Sequence, residues 1–109
     1  MGDERQPDKL SAAEARRVIR EIAAEDGRVG FLPHALTRMA QRDVSRDEVL
    51  KIVRTGAIVE GPYLGLRGDW RVEMQGRVAG DVVSIAIAIE WRTRLLVVTV
   101  IKNERGRKR

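Results

Sequence analysis

WRVEMQGRVAGDVVSIAIAIEWRTRLLVVTVIK, residues 70–102, decides the fold. Trp70, Val72 and Met74 alternate with Arg71, Glu73 and Gln75, the period-two pattern of a strand with one buried and one wet face. Gly80-Asp81 then turns the chain into VVSIAIAI, residues 82–89, apolar enough for a central strand. A turn over Glu90–Thr93 leads into Leu95–Ile101, a last buried strand. Thr99 takes alternate positions with Leu95, Val97 and Ile101, which predicts a β-branched residue on the core side.

Upstream the period is helical. Ser11 with Glu14 forms a capping box before a helix whose stripe is Ala12, Ala15, Val18, Ile19, Ile22 and Ala23, with Gly27 as its stop. A short extended piece, Val29–Leu32, precedes Pro33, which opens a second helix. Ser45 with Glu48 caps a third, with Val49, Leu50 and Val53 inward and Gly56 at its end. Ala57–Glu60 is a short strand, and glycines and Pro62 make residues 61–68 a loop. Helices followed by an antiparallel meander predict an α+β domain, its N-terminal helices packed on one face of a curved, mainly antiparallel sheet of four to five strands. Residues 1–10 read as a polar lead-in, 11–102 as a single domain and 103–109, NERGRKR, as a basic flexible tail.

Composition excludes several classes of function. In 109 residues there is no cysteine and one histidine, which removes disulfides, thiolate chemistry and any dedicated zinc site, so neither metal nor cofactor is expected. No apolar run nears the ~20 residues of a membrane span. MGDERQPDK is unlike a signal peptide, and Gln6 stands where a myristoylation motif wants Ser or Thr, so a cytoplasmic protein is expected. The 21 Lys and Arg against 16 Asp and Glu give a net charge of +5, which favours an anionic partner. Arg92, Arg94, Lys102, Arg105, Arg107, Lys108 and Arg109 concentrate that charge at the C-terminal end. With four aromatics, Phe31, Tyr63, Trp70 and Trp91, a base-stacking platform has little material.

The second helix carries the chemistry. In HALTRMAQR, residues 34–42, a turn of about 100° per residue puts His34, Thr37, Arg38, Gln41 and Arg42 on one side and Ala35, Leu36, Met39 and Ala40 on the other. Cleaving a phosphodiester without a metal needs cations for the phosphate and a group that titrates near neutrality, and this stripe supplies both types. The same residues have plainer readings: His34 satisfying a loop carbonyl, and Arg38 and Arg42 pairing with Asp43 or Glu48 at the surface. Arg71, Glu73 and Gln75 can equally be a solvated strand face, and Trp70 and Trp91 are read as packing residues.

The order of elements, the opening HALTRMAQRDVSRDEV (34–49) with its H-A-x-x-R-M-x-x-R pattern, and the closing LLVVTVIK (95–102) resemble a family of small bacterial RelE-like proteins. That family is grouped with the RelE, ParE and MqsR toxins and with barnase- and colicin-type ribonucleases, and the resemblance spans about residues 30–102. It implies a RelE-like fold and the toxin of a toxin–antitoxin system, a hydrolase acting as a metal-independent endoribonuclease through His34, Arg38, Arg42 and Thr99. RNA and a cognate antitoxin are the implied partners. A second proton-transfer group is missing from the motif, and Glu73 and Lys102 are candidates from their sheet positions. Arg71, Glu73, Lys102, Arg105, Arg107, Lys108 and Arg109 are the expected nucleic-acid contacts. ParE-type relatives act by binding a protein, gyrase, so a non-enzymatic toxin is the alternative, and a nucleic-acid-binding regulator without catalysis is a third.

Overall fold

A computed structural model describes residues 5–103; the expectations for residues 1–4 and for Arg105, Arg107, Lys108 and Arg109 lie outside the described residues. The order is α1 (Ala12–Ala23), a 3₁₀ turn (Asp26–Arg28), β1 (Val29–Phe31), α2 (Pro33–Arg42), α3 (Arg46–Thr55), β2 (Ala57–Leu64), β3 (Trp70–Val78), β4 (Asp81–Glu90) and β5 (Arg94–Asn103). The strands form one open sheet in the order β1-β5-β4-β3-β2, antiparallel except where β1 runs parallel to β5. The expected α+β architecture is therefore present.

Register divides the sheet into two faces. Val72, Ile87 and Val97 lie in one row across β3, β4 and β5, and Met74, Ile85 and Val100 in the next. All six are buried in the same core as Ile19 and Ile22 of α1 and Val49 and Val53 of α3. This is the helix face. Both predicted capping boxes are formed: the Ser11 and Ser45 hydroxyls accept from the N–H of Glu14 and Glu48, whose carboxylates accept from the cap N–H groups. Helix α3 docks on β3 at two glycines. A Cβ on Gly56 would lie 2.6 Å from the Gln75 carbonyl oxygen, and one on Gly76 would lie 2.8 Å from Ile52 Cγ1.

Several boundaries differ from the expected ones. Helix α1 stops at Ala23, ahead of Gly27, because the last turn tightens: the Ala24 and Glu25 N–H groups both bond the Ile22 carbonyl, and Arg54 Nε donates to the Ala23 carbonyl at 3.0 Å. Strand β2 runs through the predicted loop to Leu64, since Gly61 at φ 95° and two register shifts let pairing with β3 resume at Tyr63. In α2, Ala35 and Met39 are buried as expected, whereas Leu36 and Ala40 are exposed, so the inward stripe is narrower than the apolar one. Part of the lead-in is docked: Trp70 Nε1 donates to the Pro7 carbonyl at 2.9 Å, Gln6 Nε2 to the Gly68 carbonyl at 2.7 Å, and Leu10 packs on the core. No helix among the described residues is long and apolar enough to cross a membrane.

Candidate active site

Helix α2 is fastened to β5 at both ends. The Leu32 N–H, just before the helix, donates to the Val97 carbonyl at 3.0 Å, and Lys102 Nζ donates to the Arg42 carbonyl at 3.2 Å. Ten helical residues span about 15 Å and the β5 segment from Val97 to Lys102 about 17 Å, so the helix lies along the second half of the strand, past the end of the short β1. The flank carrying Ala40 and Asp43 turns toward α3, where both line a shallow cavity with Ser45 and Glu48. Arg38 sits about 160° around the helix from Ala40, and His34 about 120°, so both occupy the flank away from α3. Arg38 is half-buried and Nη1 donates to Gln41 Oε1 at 3.4 Å; His34, at the second helical position, is exposed.

Thr99 is where sequence and structure part. Ile87 pairs with Val97 but Ala86 pairs with Thr99, so Val98 is an extra residue in β5. That bulge reverses the alternation beyond it. Val100 takes the core position, and Thr99 and Ile101 turn to the face without helices, where Thr99 is half-buried and Ile101 is 48% exposed. The predicted core threonine is instead a hydroxyl on the open face. Here it falls in a row with Ala86 on β4, Glu73 on β3 and Glu60 on β2.

The centre of that row is polar and linked. Glu73 lies opposite Glu60 and hydrogen-bonds it, and Ser84, a buried polar residue two positions along β4 from Ala86, also bonds the Glu73 carboxyl. Gln75 Nε2 in turn donates to Ser84 Oγ at 3.0 Å. Partial burial first, and then the neighbouring Glu60 carboxyl, push the Glu73 pKa above the ordinary carboxylate value, while the Ser84 bond opposes the shift. Glu73 thus holds a proton at higher pH than a free carboxyl does. Arg71 stands two residues back on the same face of β3, half-buried, with Nε 3.4 Å from Asp69 Oδ2.

Lys102 does not join them. Register pairs it with Val83 on the helix face, where its ammonium also lies 3.6 Å from Asp81 Oδ2; it tethers α2 and cannot serve the open face as a second proton-transfer group. Arg42, exposed at the far end of α2, is about 12 Å along the axis from His34. Thr99 therefore shares the open face with Arg71 and Glu73, while His34 and Arg38 lie on α2, which is fastened along β5, and Arg42 lies at its far end. Glu60, Ser84 and Gln75 were missed by sequence reading, because cross-strand register, which no single strand reveals, is what joins them to Glu73. Among the described residues no three His, Asp or Glu side chains are grouped to hold a metal ion.

A sequence profile described as a domain of unknown function, DUF4258, matches residues 31–102. The chain belongs to the DUF4258 family. No curated protein and no solved structure gives a significant match. The DUF4258 region runs from the end of β1 to Lys102, so it holds all of α2 and the polar row on the sheet but leaves α1 outside.

Proposed function

We propose that the open face is the reaction surface of a metal-independent endoribonuclease, the RelE-like toxin of a bacterial toxin–antitoxin pair acting on cytoplasmic RNA. One observation carries the reading: Glu73, its pKa raised by burial and by Glu60, shares an open sheet face with the Thr99 hydroxyl, and α2, which carries His34 and Arg38, is fastened along the strand of Thr99. Two proton-transfer groups of different kinds, a cation and a hydroxyl donor are the parts that in-line cleavage through the ribose 2′-hydroxyl requires. Glu73 takes the 2′-hydroxyl proton, and the 2′-oxygen forms a bond to phosphorus. His34 gives its proton to the departing 5′-oxygen as the P–O5′ bond breaks, leaving a 2′,3′-cyclic phosphate and a 5′-hydroxyl. Arg38 offsets the charge on the five-coordinate phosphorus, and the Thr99 hydroxyl donates to a non-bridging oxygen.

The antitoxin half of the proposal calls for a protein partner, and exposed Val59, Leu64 and Leu66 on β2 and the loop after it support one. The test is RNA cleavage by the purified protein in excess EDTA. Wild type is expected to yield cyclic or 3′-phosphate ends, and His34→Ala and Glu73→Gln to lose at least about a hundredfold in rate while keeping their fold. Glu73→Gln should also lose the limb on which the rate rises as this carboxyl ionises. Cleavage by folded His34→Ala and Glu73→Gln at wild-type rates would exclude this mechanism, and 5′-phosphate ends that vanish on chelation would replace it with a metal-dependent one.

A further inference from the structure

At the end of the open face nearest the start of α2 lies a cavity of about 640 Å³, within the range of small-ligand sites. Its floor is sheet surface: Ala88 and Leu96, directly opposite each other on β4 and β5, with Val98, the bulge residue. Ala88, small and 3% exposed, lies between Arg71 on β3 and Leu96 on β5 at the bottom of the cavity. Half-buried Trp91 forms one wall, so the cavity offers a flat apolar floor and an aromatic ring. Such a slot takes a planar ring system.

The rim selects an anion beside that ring. Arg67, exposed, and Arg71, half-buried, both line the cavity. Asp69 engages Nε of Arg71 and so fixes the guanidinium plane, leaving its Nη donors for a ligand. The other acid at the rim, Glu90, is taken up by Arg94, whose Nε donates to it at 2.8 Å. A planar ring joined to an anionic group is the chemistry of a nucleotide.

We infer that this cavity binds one nucleotide of the RNA, its base on the Ala88–Leu96 floor against Trp91 and its phosphate on Arg67 and Arg71. The inference rests on the proposed RNA chemistry. Arg71 precedes Glu73 by two residues on one strand face, about 7 Å, so the nucleotide held here adjoins the one that is cut. The cavity then sets which base can stand next to the cleaved bond, while the Glu73 row performs the reaction.

The experiment is titration of the full chain, followed by amide and indole NMR shifts, with AMP, GMP, CMP and UMP, and with inorganic phosphate and free nucleosides as controls. At least one mononucleotide is expected to saturate with shifts at Ala88, Leu96, Val98 and the Trp91 indole, more tightly than phosphate or its nucleoside. Arg71→Gln should weaken it about tenfold, the scale of one charge-assisted hydrogen bond. Ala88→Leu, which enlarges a buried floor residue on the face away from the helices, should abolish it, with the fold of the variant checked by circular dichroism. RNA cleavage without nucleotide shifts at the cavity, or undiminished binding by a folded Ala88→Leu, overturns the inference and leaves the ribonuclease reading standing. Nucleotide in the cavity with no cleavage of any RNA does the reverse: it supports the site and removes the nuclease.

Discussion

Glu73 is the residue whose environment departs furthest from its sequence context. Read from sequence as a polar residue of a wet strand face and a candidate proton-transfer group, it sits in the structure against a second carboxyl and beside a buried hydroxyl. Its raised pKa means that the folded state binds this proton more tightly than the unfolded chain. The contribution is fully present below the ordinary value of 4.5 and is lost as pH rises through the elevated folded value, so ionised Glu73 destabilises the fold at neutral pH. Glu73→Gln is therefore expected to raise stability at pH 7 by about 0.2–1 kcal/mol, the scale of cross-strand like-charge pairs, and to make no difference below about pH 4. Thermal melts of both proteins across that interval check it; a neutral-pH stability equal to or below that of wild type would mean that Glu60 does not press on Glu73. Thr99 shows why such sites resist sequence reading. Its neighbours on both sides are β-branched or aliphatic, and one bulge residue, Val98, decides which face the hydroxyl takes. Nothing in LLVVTVI marks which of its residues is the extra one.

Elements were more legible than residues. Capping boxes at Ser11 and Ser45, Pro33 at the first turn of α2 and the alternation of β3 are local signals, and each produced its element. The end of α1 and the length of β2 depend on contacts made by distant residues, Arg54 and the partner strand β3, and so were misplaced. The position of α2 depends on two tethers of the same long-range kind. Because Lys102 supplies one of them and is 14% exposed, Lys102→Met is expected to leave the Arg42 carbonyl and Asp81 without their cation, at a cost of about 1 kcal/mol. Hydrogen exchange should quicken in the last turn of α2 more than in β3 or β4. If RNA is cleaved, its pH–rate profile should keep its shape in this variant; loss of one limb would return Lys102 to the list of proton-transfer groups. A second element test concerns α1, which lies outside the family match yet buries Ile19 and Ile22 to 0% and 1% exposure. Ile22→Ala should cost about 2–5 kcal/mol in urea unfolding, and a loss under about 1 kcal/mol would show that the matched region stands without this helix.

At the scale of the molecule, charge and shape point the same way. The helices cover one face of the sheet and leave the other open, and that open face carries Arg71, with Arg67 across the cavity from it and Arg38 on the neighbouring α2. The C-terminal residues add Arg105, Arg107, Lys108 and Arg109, known from sequence alone. Salt dependence separates the two sets, since each phosphate neutralised on a single strand contributes about 0.7 to the slope of log Kobs against log salt. With a cleavage-dead Glu73→Gln background, Arg38→Ala and Arg71→Ala should each flatten the slope by about 0.7 and weaken binding to every single-stranded RNA alike if they grip phosphates. Removing residues 104–109 takes away four cations and leaves every described core residue, the last of them Val100, in place, so stability is expected to hold while the slope falls by up to roughly 3. Full slope after truncation together with loss on the open-face variants would place the RNA across the sheet alone. The opposite result, a slope that vanishes with the last six residues and ignores Arg38 and Arg71, would make RNA binding a property of the chain end and separate it from the Glu73 row.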